Sequence, residues 1–525
     1  MPVFFERLNG FADRFRPKLL RTDDPPGEDL RPIQRMGALP ALVLLGACVR
    51  LLFVSRQSFW YDEAVAAELS KHAVGELLHG LARDNGNPPL YWMLLHFWSR
   101  VFGTSDGALR MLSVAFGVLC IPLVYALGCE LATYRIAGLA TLLFAVSPYQ
   151  VYLSQEARVY TLFVFLGMLS AFSLLRALDK PHLARYWILH AFATCAMCYA
   201  HYYAFFMVVA EVAFILVHPN LRRVVFARAL VSFAAAAIGF LPWLPSFLVQ
   251  LHTRGSVARS VHTWWLHAAA TPVIFGLGRT LIWKQDVTNS RIVVAVLGGL
   301  ALVTTLAVGL WAARRTPRGV FLYLWFGINL GIPWLVSAAL SPLYAERYGA
   351  LASIPYYFFV AYGLDAWGGK LRWISRVAIG MAITISLALY FTSTVKTDWR
   401  SAVRYVETHS KRGDLLLFDA DFNETSYARY ATLPNQRLRI LGPPSSTRMP
   451  ATEHAGGSIT DAAQEIVRHP RVWLVLSDAE PGSANRYRTF FSSWTWSNEV
   501  VFRGIGIWLL QQRDDAESSP AVPRI

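Results

Sequence analysis

Charged residues are scarce in this sequence: Asp, Glu, Lys and Arg make up 16% of its 525 residues, against 55% that are hydrophobic. Soluble domains carry roughly a quarter charged residues, and with a mean hydropathy of +0.37 the composition argues against a soluble globular enzyme. Cysteine is scarce too. All five cysteines (Cys48, Cys120, Cys129, Cys195 and Cys198) fall in or beside apolar runs, and the polar region after residue 396 has none, so that region is not a disulfide framework. Cys195 and Cys198 form a C-x-x-C inside an apolar helical stretch with no further soft ligand, which reads as packing rather than redox chemistry. No Walker loop, no G-x-G-x-x-G fingerprint and no H-E-x-x-H pair is present, so no local nucleotide or metalloprotease signature exists. Acid is in deficit, with 49 Lys+Arg against 34 Asp+Glu. The excess sits in short gaps between apolar runs, where membrane topology explains it better than a nucleic-acid partner does.

What fills the chain is apolar sequence long enough to cross a bilayer. Spans are expected near residues 36–55, 108–129, 136–153, 159–177, 186–200, 203–218, 226–245, 291–312, 319–340, 349–366 and 375–395, about eleven in all. Alternating them from a cytoplasmic N-terminus puts Arg135, Arg176, Arg185, Arg222, Arg318 and Arg372 on one side, which the positive-inside rule makes cytoplasmic. Residues 56–107, the Ser154–Arg158 turn, a long 246–290 loop, the Ser341–Arg347 turn and everything after 396 then face outward. Residues 88–102 are too short to span, giving only about 22 Å of helix, and carry His96 and Arg100. With the amphipathic stretch 62–82 they predict two juxtamembrane helices in the first external loop. Residues 1–35 read as a basic cytoplasmic segment, 36–395 as the membrane domain, 396–515 as an external α/β domain, and 516–525 as a disordered tail. Strands in the external domain are expected at Leu415 to Phe418, Leu438 to Leu441, Val472 to Leu476 and Ile505 to Leu510, with a helix at Trp399 to Ser410.

Four motifs carry candidate chemistry. Phe59-Trp60-Tyr61-Asp62-Glu63 sets two adjacent carboxylates where the first span emerges; a helix N-terminus would favour the same acids, and the two readings are compatible. Ser154-Gln155-Glu156-Ala157-Arg158-Val159-Tyr160 sets an acid and an arginine between two spans, either as a salt-bridged turn or as a site for a charged ligand. Tyr344-Ala345-Glu346-Arg347-Tyr348 repeats the pattern at a later helix end, where Arg347 either meets an anion or snorkels to the interface. Asn85-Gly86-Asn87-Pro88-Pro89-Leu90-Tyr91 is a turn leading into a helix. Glu211 lies mid-span and reads as an internally paired structural residue. The 246–290 loop, with Trp264-Trp265, Arg279, Lys284 and Asp286, suggests a substrate cover.

Taken in order with Arg110 to Ser113, Ser147-Pro148 and Trp399-Arg400, these motifs resemble the GT-C class of membrane glycosyltransferases. The branch most similar is that of bacterial protein O-mannosyltransferases, the ArnT aminoarabinose transferases and the Rgt-type galacturonosyltransferases. The resemblance covers about residues 36–400. It implies an enzyme of the bacterial inner membrane that moves a sugar, with inversion, from a polyprenyl-phosphate donor to a hydroxyl of a lipid, protein or polysaccharide acceptor on the external face. Asp62 matches the family's candidate general base, with Glu63 its neighbour and Glu156 a further acid of the site. Arg158 and Arg347 are the main candidates for the donor phosphate, Arg83 and Lys284 weaker ones, and Tyr61, Asn87, Tyr91, Tyr160 and Tyr348 line the substrate pocket. Asn87 departs from the lysine that ArnT-like members carry before this proline. No metal signature stands in the sequence, although acids beside a phosphate could hold a divalent cation, as in the oligosaccharyltransferase branch. The alternative reading is a transporter or flippase of lipid-linked sugars, which should place its charges near the bilayer midplane in broken, repeated helices.

Overall fold

The computed structural model describes residues 37–83, 88–257, 264–280, 289–314, 316, 318–339, 344–418, 422–433, 440–441, 466, 468–477, 485, 487–488 and 491–512. The predicted segment 1–35, the tail 516–525, and Asn87, Lys284 and Asp286 lie outside them. The chain forms two compact units, the first from Met1–Leu52, Asn85–Tyr91 and Ser113–Leu389, the second from Phe53–Asp84, Trp92–Leu112 and Tyr390–Ile525.

The first unit is helical. A helix lies at each of the eleven predicted stretches, but among the described residues only six are long and apolar enough to cross a membrane: Asp106–Leu131, Tyr160–Asp179, Val225–His252, Ile292–Ala313, Gly319–Ala339 and Gly369–Thr392. The bent pair Tyr134–Val146 and Pro148–Ser154 makes a seventh if it is one span. Leu39–Leu51, Ala184–Ala200, Ala204–Leu216 and Ser353–Ala366 have 13, 17, 13 and 14 residues, or about 20 to 26 Å each. By length and composition alone, six or seven of the eleven stretches qualify as spans among the described residues. The protein is a multi-pass membrane protein, and apolar side chains such as Leu44, Ile188, Phe192, Val231, Val296 and Leu335 stand exposed on this unit. That would be costly in water and suits lipid. The 246–290 stretch is not an open loop. Helices Leu244–Val257 and Trp264–Leu277 occupy most of what is described there, the second concealed in the sequence by its shortness and its internal Pro272.

Helices in lipid gain little from burying apolar surface against one another, so close approach and internal polar satisfaction must hold them. A Cβ at Gly309 would run into the Phe359 carbonyl, and one at Gly363 into that of Thr305, so these two glycines let Asn289–Ala313 and Ser353–Ala366 meet backbone to backbone. Arg50 is fully buried and spends its guanidinium on the Gly46, Ala145 and Phe144 carbonyls at 3.0, 2.7 and 3.2 Å and on Ser154 Oγ at 3.1 Å. It thereby fills the acceptor demand where helix Tyr134–Val146 ends and the chain bends by 55°. Glu211 takes a hydrogen bond from Ser170 Oγ at 2.8 Å and faces His190 Nε2 at 3.3 Å, while His190 Nδ1 pairs with Ser232 Oγ at 2.7 Å. Glu211 is thus internally paired.

The second unit begins with Tyr61–Leu69, Val74–Arg83 and Leu90–Phe102. The predicted 62–82 helix is in fact two. Ser70 Oγ turns back on the Ala67 carbonyl at 2.7 Å, and the His96 ring occupies the Ser70 carbonyl at 3.0 Å, which a continuous helix would have given to the Val74 amide. The C-terminal part is a six-stranded mixed sheet of β1 (Leu415–Phe418), β2 (Ile440–Leu441), β3 (Arg471–Ser477), β4 (Trp494–Trp496), β5 (Val500–Phe502) and β6 (Ile505–Gln512). β2, β1 and β3 are parallel, while β6 runs antiparallel to β3, β4 and β5. Helix Trp399–His409, capped by Asp398 accepting from the Ser401 amide, buries Trp399, Val403 and Val406 with Leu416, Phe418 and Trp473.

Replacing Gly309 by alanine should force Asn289–Ala313 and Ser353–Ala366 apart and cost about 1 to 3 kcal/mol. A fall in the thermal midpoint of the detergent-solubilised variant checks this, and an unchanged midpoint would refute it.

Candidate active site

In the first unit the site grows from the break between helices Tyr134–Val146 and Pro148–Ser154. Ser147 caps the second of these, accepting from the Gln150 amide at 3.3 Å, while its hydroxyl also meets Tyr357 Oη at 2.8 Å and the Phe275 carbonyl at 3.1 Å. Gln150 Nε2 reaches Ser353 Oγ at 2.8 Å, and Gln155 Nε2 donates to the Arg50 and Leu52 carbonyls at 2.9 and 2.7 Å. The turn from Ser154 to Tyr160 is held from both sides. Glu156, on this turn, is fully buried and Arg158 nearly so.

Four further stretches come to this turn. Tyr91 Oη meets Ser113 Oγ at 2.9 Å, and Ser113 Oγ donates to the Arg158 carbonyl at 3.0 Å. That chain joins the Pro-Pro-Leu-Tyr motif, the Arg110–Ser113 motif and the Gln-Glu-Ala-Arg turn. His201 lies 6.3 Å from the Tyr160 ring, 5.4 Å from Tyr203 and 5.4 Å from Tyr348, so four aromatic rings cluster here. The Arg158 guanidinium stands 6.0 Å from the Tyr160 ring and that of Arg347 5.4 Å from Tyr348.

Gly278 closes helix Trp264–Leu277 at φ +69, and a Cβ there would press on Pro148 at 3.1 Å. Only glycine fits this turn comfortably. The next residue, Arg279, pairs with Glu346, which also has His267 Nδ1 at 3.3 Å, while Tyr149 Oη donates to the Glu346 carbonyl at 2.8 Å. Glu156, Arg279 and Arg347 all act electrostatically on the Tyr152 hydroxyl. Three arginines stand against two glutamates at this end of the first unit, a local positive excess suited to an anion. The opposite helix ends carry Arg176 and Arg318 paired with Glu130 and Asp179, and Arg135 paired with Asp365.

In the second unit, Tyr61 and Asp62 are half-buried on the first turn of helix Tyr61–Leu69, where the helix dipole favours a carboxylate. Glu63 is wholly buried. Arg110 grips it with two hydrogen bonds, Nε to Oε1 at 2.8 Å and Nη2 to Oε2 at 2.9 Å, and Lys396 Nζ reaches Oε2 at 2.8 Å. The rest of the Arg110 fork serves the Val54, Gln57 and Ser58 carbonyls at 2.9, 2.8 and 3.2 Å. Burial alone would raise the Glu63 carboxyl, but the two cations outweigh it and hold the group down at about 2. Such a carboxylate is an anchor and a poor proton acceptor. Arg83 is exposed at the end of its helix.

Arg110 and Arg400 stood in quoted motifs, but their roles did not, and Lys396, Asp106, Arg429 and Tyr430 carried no local signal. Among the described residues no group of three His, Cys, Asp or Glu side chains is placed to hold a metal ion. Glu63 is committed to Arg110 and Lys396, and Glu346 to Arg279.

Residues 86–248 match the family described as dolichyl-phosphate-mannose-protein mannosyltransferase. The chain superposes on ArnT from Cupriavidus metallidurans in the apo state with a TM-score of 0.59 at 12% identity, over 90% of this chain and 98% of that one. The fold is that of the GT-C membrane glycosyltransferases. The GT-C resemblance drawn from the motifs therefore holds. The same ArnT bound to undecaprenyl phosphate superposes with a TM-score of 0.57 at 11% identity, over 92% and 99% of the two chains. The Archaeoglobus fulgidus oligosaccharyltransferase in the apo form gives 0.54 at 14% identity, over 85% of this chain and 70% of that one. No curated protein matches in sequence. Asp62 and Arg347 lie outside the residues that match the family, whereas Tyr91, Glu156, Arg158 and Tyr160 lie inside.

Glu63 has its folded value held below the ordinary 4.5, so it stabilises the fold above about 4.5 and loses that contribution as pH falls toward about 2. Thermal midpoints measured from pH 6 downward should decline across that window. In Lys396→Met the decline should begin at higher pH, because one of the two cations is gone; an unmoved onset would refute the assignment.

Proposed function

We propose that this protein is an inverting glycosyltransferase that moves a sugar from a polyprenyl-phosphate donor to an acceptor hydroxyl at the external face of the bacterial inner membrane. The observation that carries the reading is the convergence of Glu156, Arg158, Arg347 and the Tyr160, His201, Tyr203 and Tyr348 rings at one end of a GT-C helical unit. An ArnT of this fold has been captured with undecaprenyl phosphate, and we carry that ligand class to this chain. The acceptor is a lipid, a protein or a polysaccharide. In this reading all eleven helices cross the bilayer, the ends bearing Arg135, Arg176 and Arg318 face the cytoplasm together with the N-terminus, and the ends bearing Arg158 and Arg347 face outward. Residues 36–395 form the catalytic membrane domain and 396–515 an external α/β domain.

The acceptor oxygen attacks the anomeric carbon, the bond from that carbon to the phosphate oxygen breaks, and the acceptor proton passes to the Asp62 carboxylate. Arg158 and Arg347 meet the charge that grows on the departing polyprenyl phosphate, where a low-dielectric setting makes guanidinium donors effective. Arg279, Arg83 and Lys284 add weaker positive charge. Glu156 orients the sugar, Glu63 holds the helix that carries Asp62, and Tyr61, Asn87, Tyr91, Tyr160 and Tyr348 are the further residues we assign to substrate recognition.

Purified protein reconstituted in liposomes should transfer label from a polyprenyl-phosphate sugar and not from a nucleotide sugar. Asp62→Asn should lower that rate by about 10²- to 10⁴-fold, the usual contribution of a general base. Arg158→Met and Arg347→Met should raise the KM for donor. Donor that crosses the bilayer without transfer, and does so equally in Asp62→Asn, would replace this reading with that of a transporter.

A further inference from the structure

The segment that follows the last membrane helix does more than add a soluble module. After Thr392 the chain runs directly alongside the first loop: Gln57 Oε1 accepts from the Val395 and Lys396 amides at 2.9 Å each, and Ser58 Oγ donates to the Thr397 carbonyl at 2.9 Å. Arg56 Nη2 donates to the Thr392 carbonyl at 2.8 Å. From that strap Lys396 reaches Glu63, with both side chains nearly inaccessible to solvent at 4% and 0%. A second strap comes from further along. The Phe59 amide donates to Tyr430 Oη at 2.6 Å, and Tyr430 Oη donates in turn to Asp106 Oδ2 at 2.5 Å. Arg400 and Arg429 close on the same Asp106 carboxylate at 2.9 and 2.8 Å. Helix Phe422–Ala428 packs directly on helix Tyr61–Leu69. The acidic helix is therefore gripped at its start, along its side and through its buried carboxylate by residues between 392 and 430.

The charge balance at Glu63 makes this grip informative. Arg110 alone would neutralise the carboxylate, and its bidentate geometry would satisfy both oxygens. A second buried cation is more than neutrality requires and carries a desolvation cost that stability alone does not demand. What Lys396 adds is position: it ties the one turn that presents Asp62 to a segment more than 300 residues away.

We propose that the post-membrane segment is a positioning element for the reaction, with Lys396 acting through Glu63, and Tyr430 through Phe59, to fix the helix that carries Asp62. It sets turnover and not donor affinity. The inference rests on the reading of Asp62 as the base. Neither residue touches substrate in this account.

The test compares wild type, Lys396→Met, Lys396→Arg and Tyr430→Phe in the liposome transfer assay, with kcat and donor KM measured separately and thermal midpoints in parallel. Lys396→Met leaves the neutral Glu63–Arg110 pair intact, so the protein should fold. It should lose at least tenfold in kcat with donor KM within twofold of wild type, and Lys396→Arg should recover most of the loss. Tyr430→Phe relaxes the other strap and should show the same split even if Lys396→Met proves unstable. Wild-type kcat in both Lys396→Met and Tyr430→Phe would overturn the inference while leaving the transferase reading in place. So would a kcat loss that merely follows a fallen midpoint and is not rescued by Lys396→Arg. Absence of transfer in the wild type would overturn the transferase reading itself, and the inference with it.

Discussion

A carboxylate that water does not reach organises the second unit. Glu63 is tolerable there because cations meet it, with Arg110 neutralising it and Lys396 adding a second tether, and both cations are tolerable only because of Glu63. The dependence is asymmetric. Removing Glu63 would strand two buried cations, whereas removing one cation leaves a neutral pair. This dependence fixes the path of residues 54–58, whose carbonyls complete the Arg110 fork, and places the first turn of helix Tyr61–Leu69 at a defined point. Asp106 repeats the logic a short distance away with Arg400, Arg429 and Tyr430.

The first unit meets a different version of the same constraint. Lipid offers no hydrogen bonds, so each polar group at membrane depth must find a partner inside the protein. Arg50 does so on the carbonyls that a helix break leaves over, and in doing so turns the break into a fixed corner. Gly309 and Gly363 remove side chains where two backbones meet. Against this rigid frame the Ser154–Tyr160 turn can hold Glu156 and Arg158 buried together.

What could be read in the sequence follows from distance along the chain. The adjacent acids Asp62 and Glu63, the Glu156–Arg158 turn and the Arg347–Tyr348 pair announce themselves because their residue types sit side by side where an apolar run ends. Lys396 does not, since its partner is 333 residues earlier and nothing local distinguishes it from an interfacial lysine. The strand at Leu415–Phe418 is legible as a run of apolar residues, while β4 and β5, three residues each, are too short to register. Hydropathy located every helix of the membrane unit that it expected, but it could not see the break after Ser70, which depends on His96 arriving from another helix. The helix Trp264–Leu277 hid behind its proline and its histidine.

The Glu211 node and the Glu63 node differ in when they can be completed as the chain is made. Ser170, His190, Thr194, Glu211 and Ser232 come from four consecutive helices, so that node closes as soon as those helices have left the ribosome and entered the membrane. Glu63 must wait for Lys396, which is translated only after the final membrane helix, Gly369–Thr392. A nascent chain thus carries an incompletely tethered acidic helix through the whole of its insertion. Completion of that tether follows directly on synthesis of helix Gly369–Thr392, which ties the fixing of the acidic helix to the making of that helix.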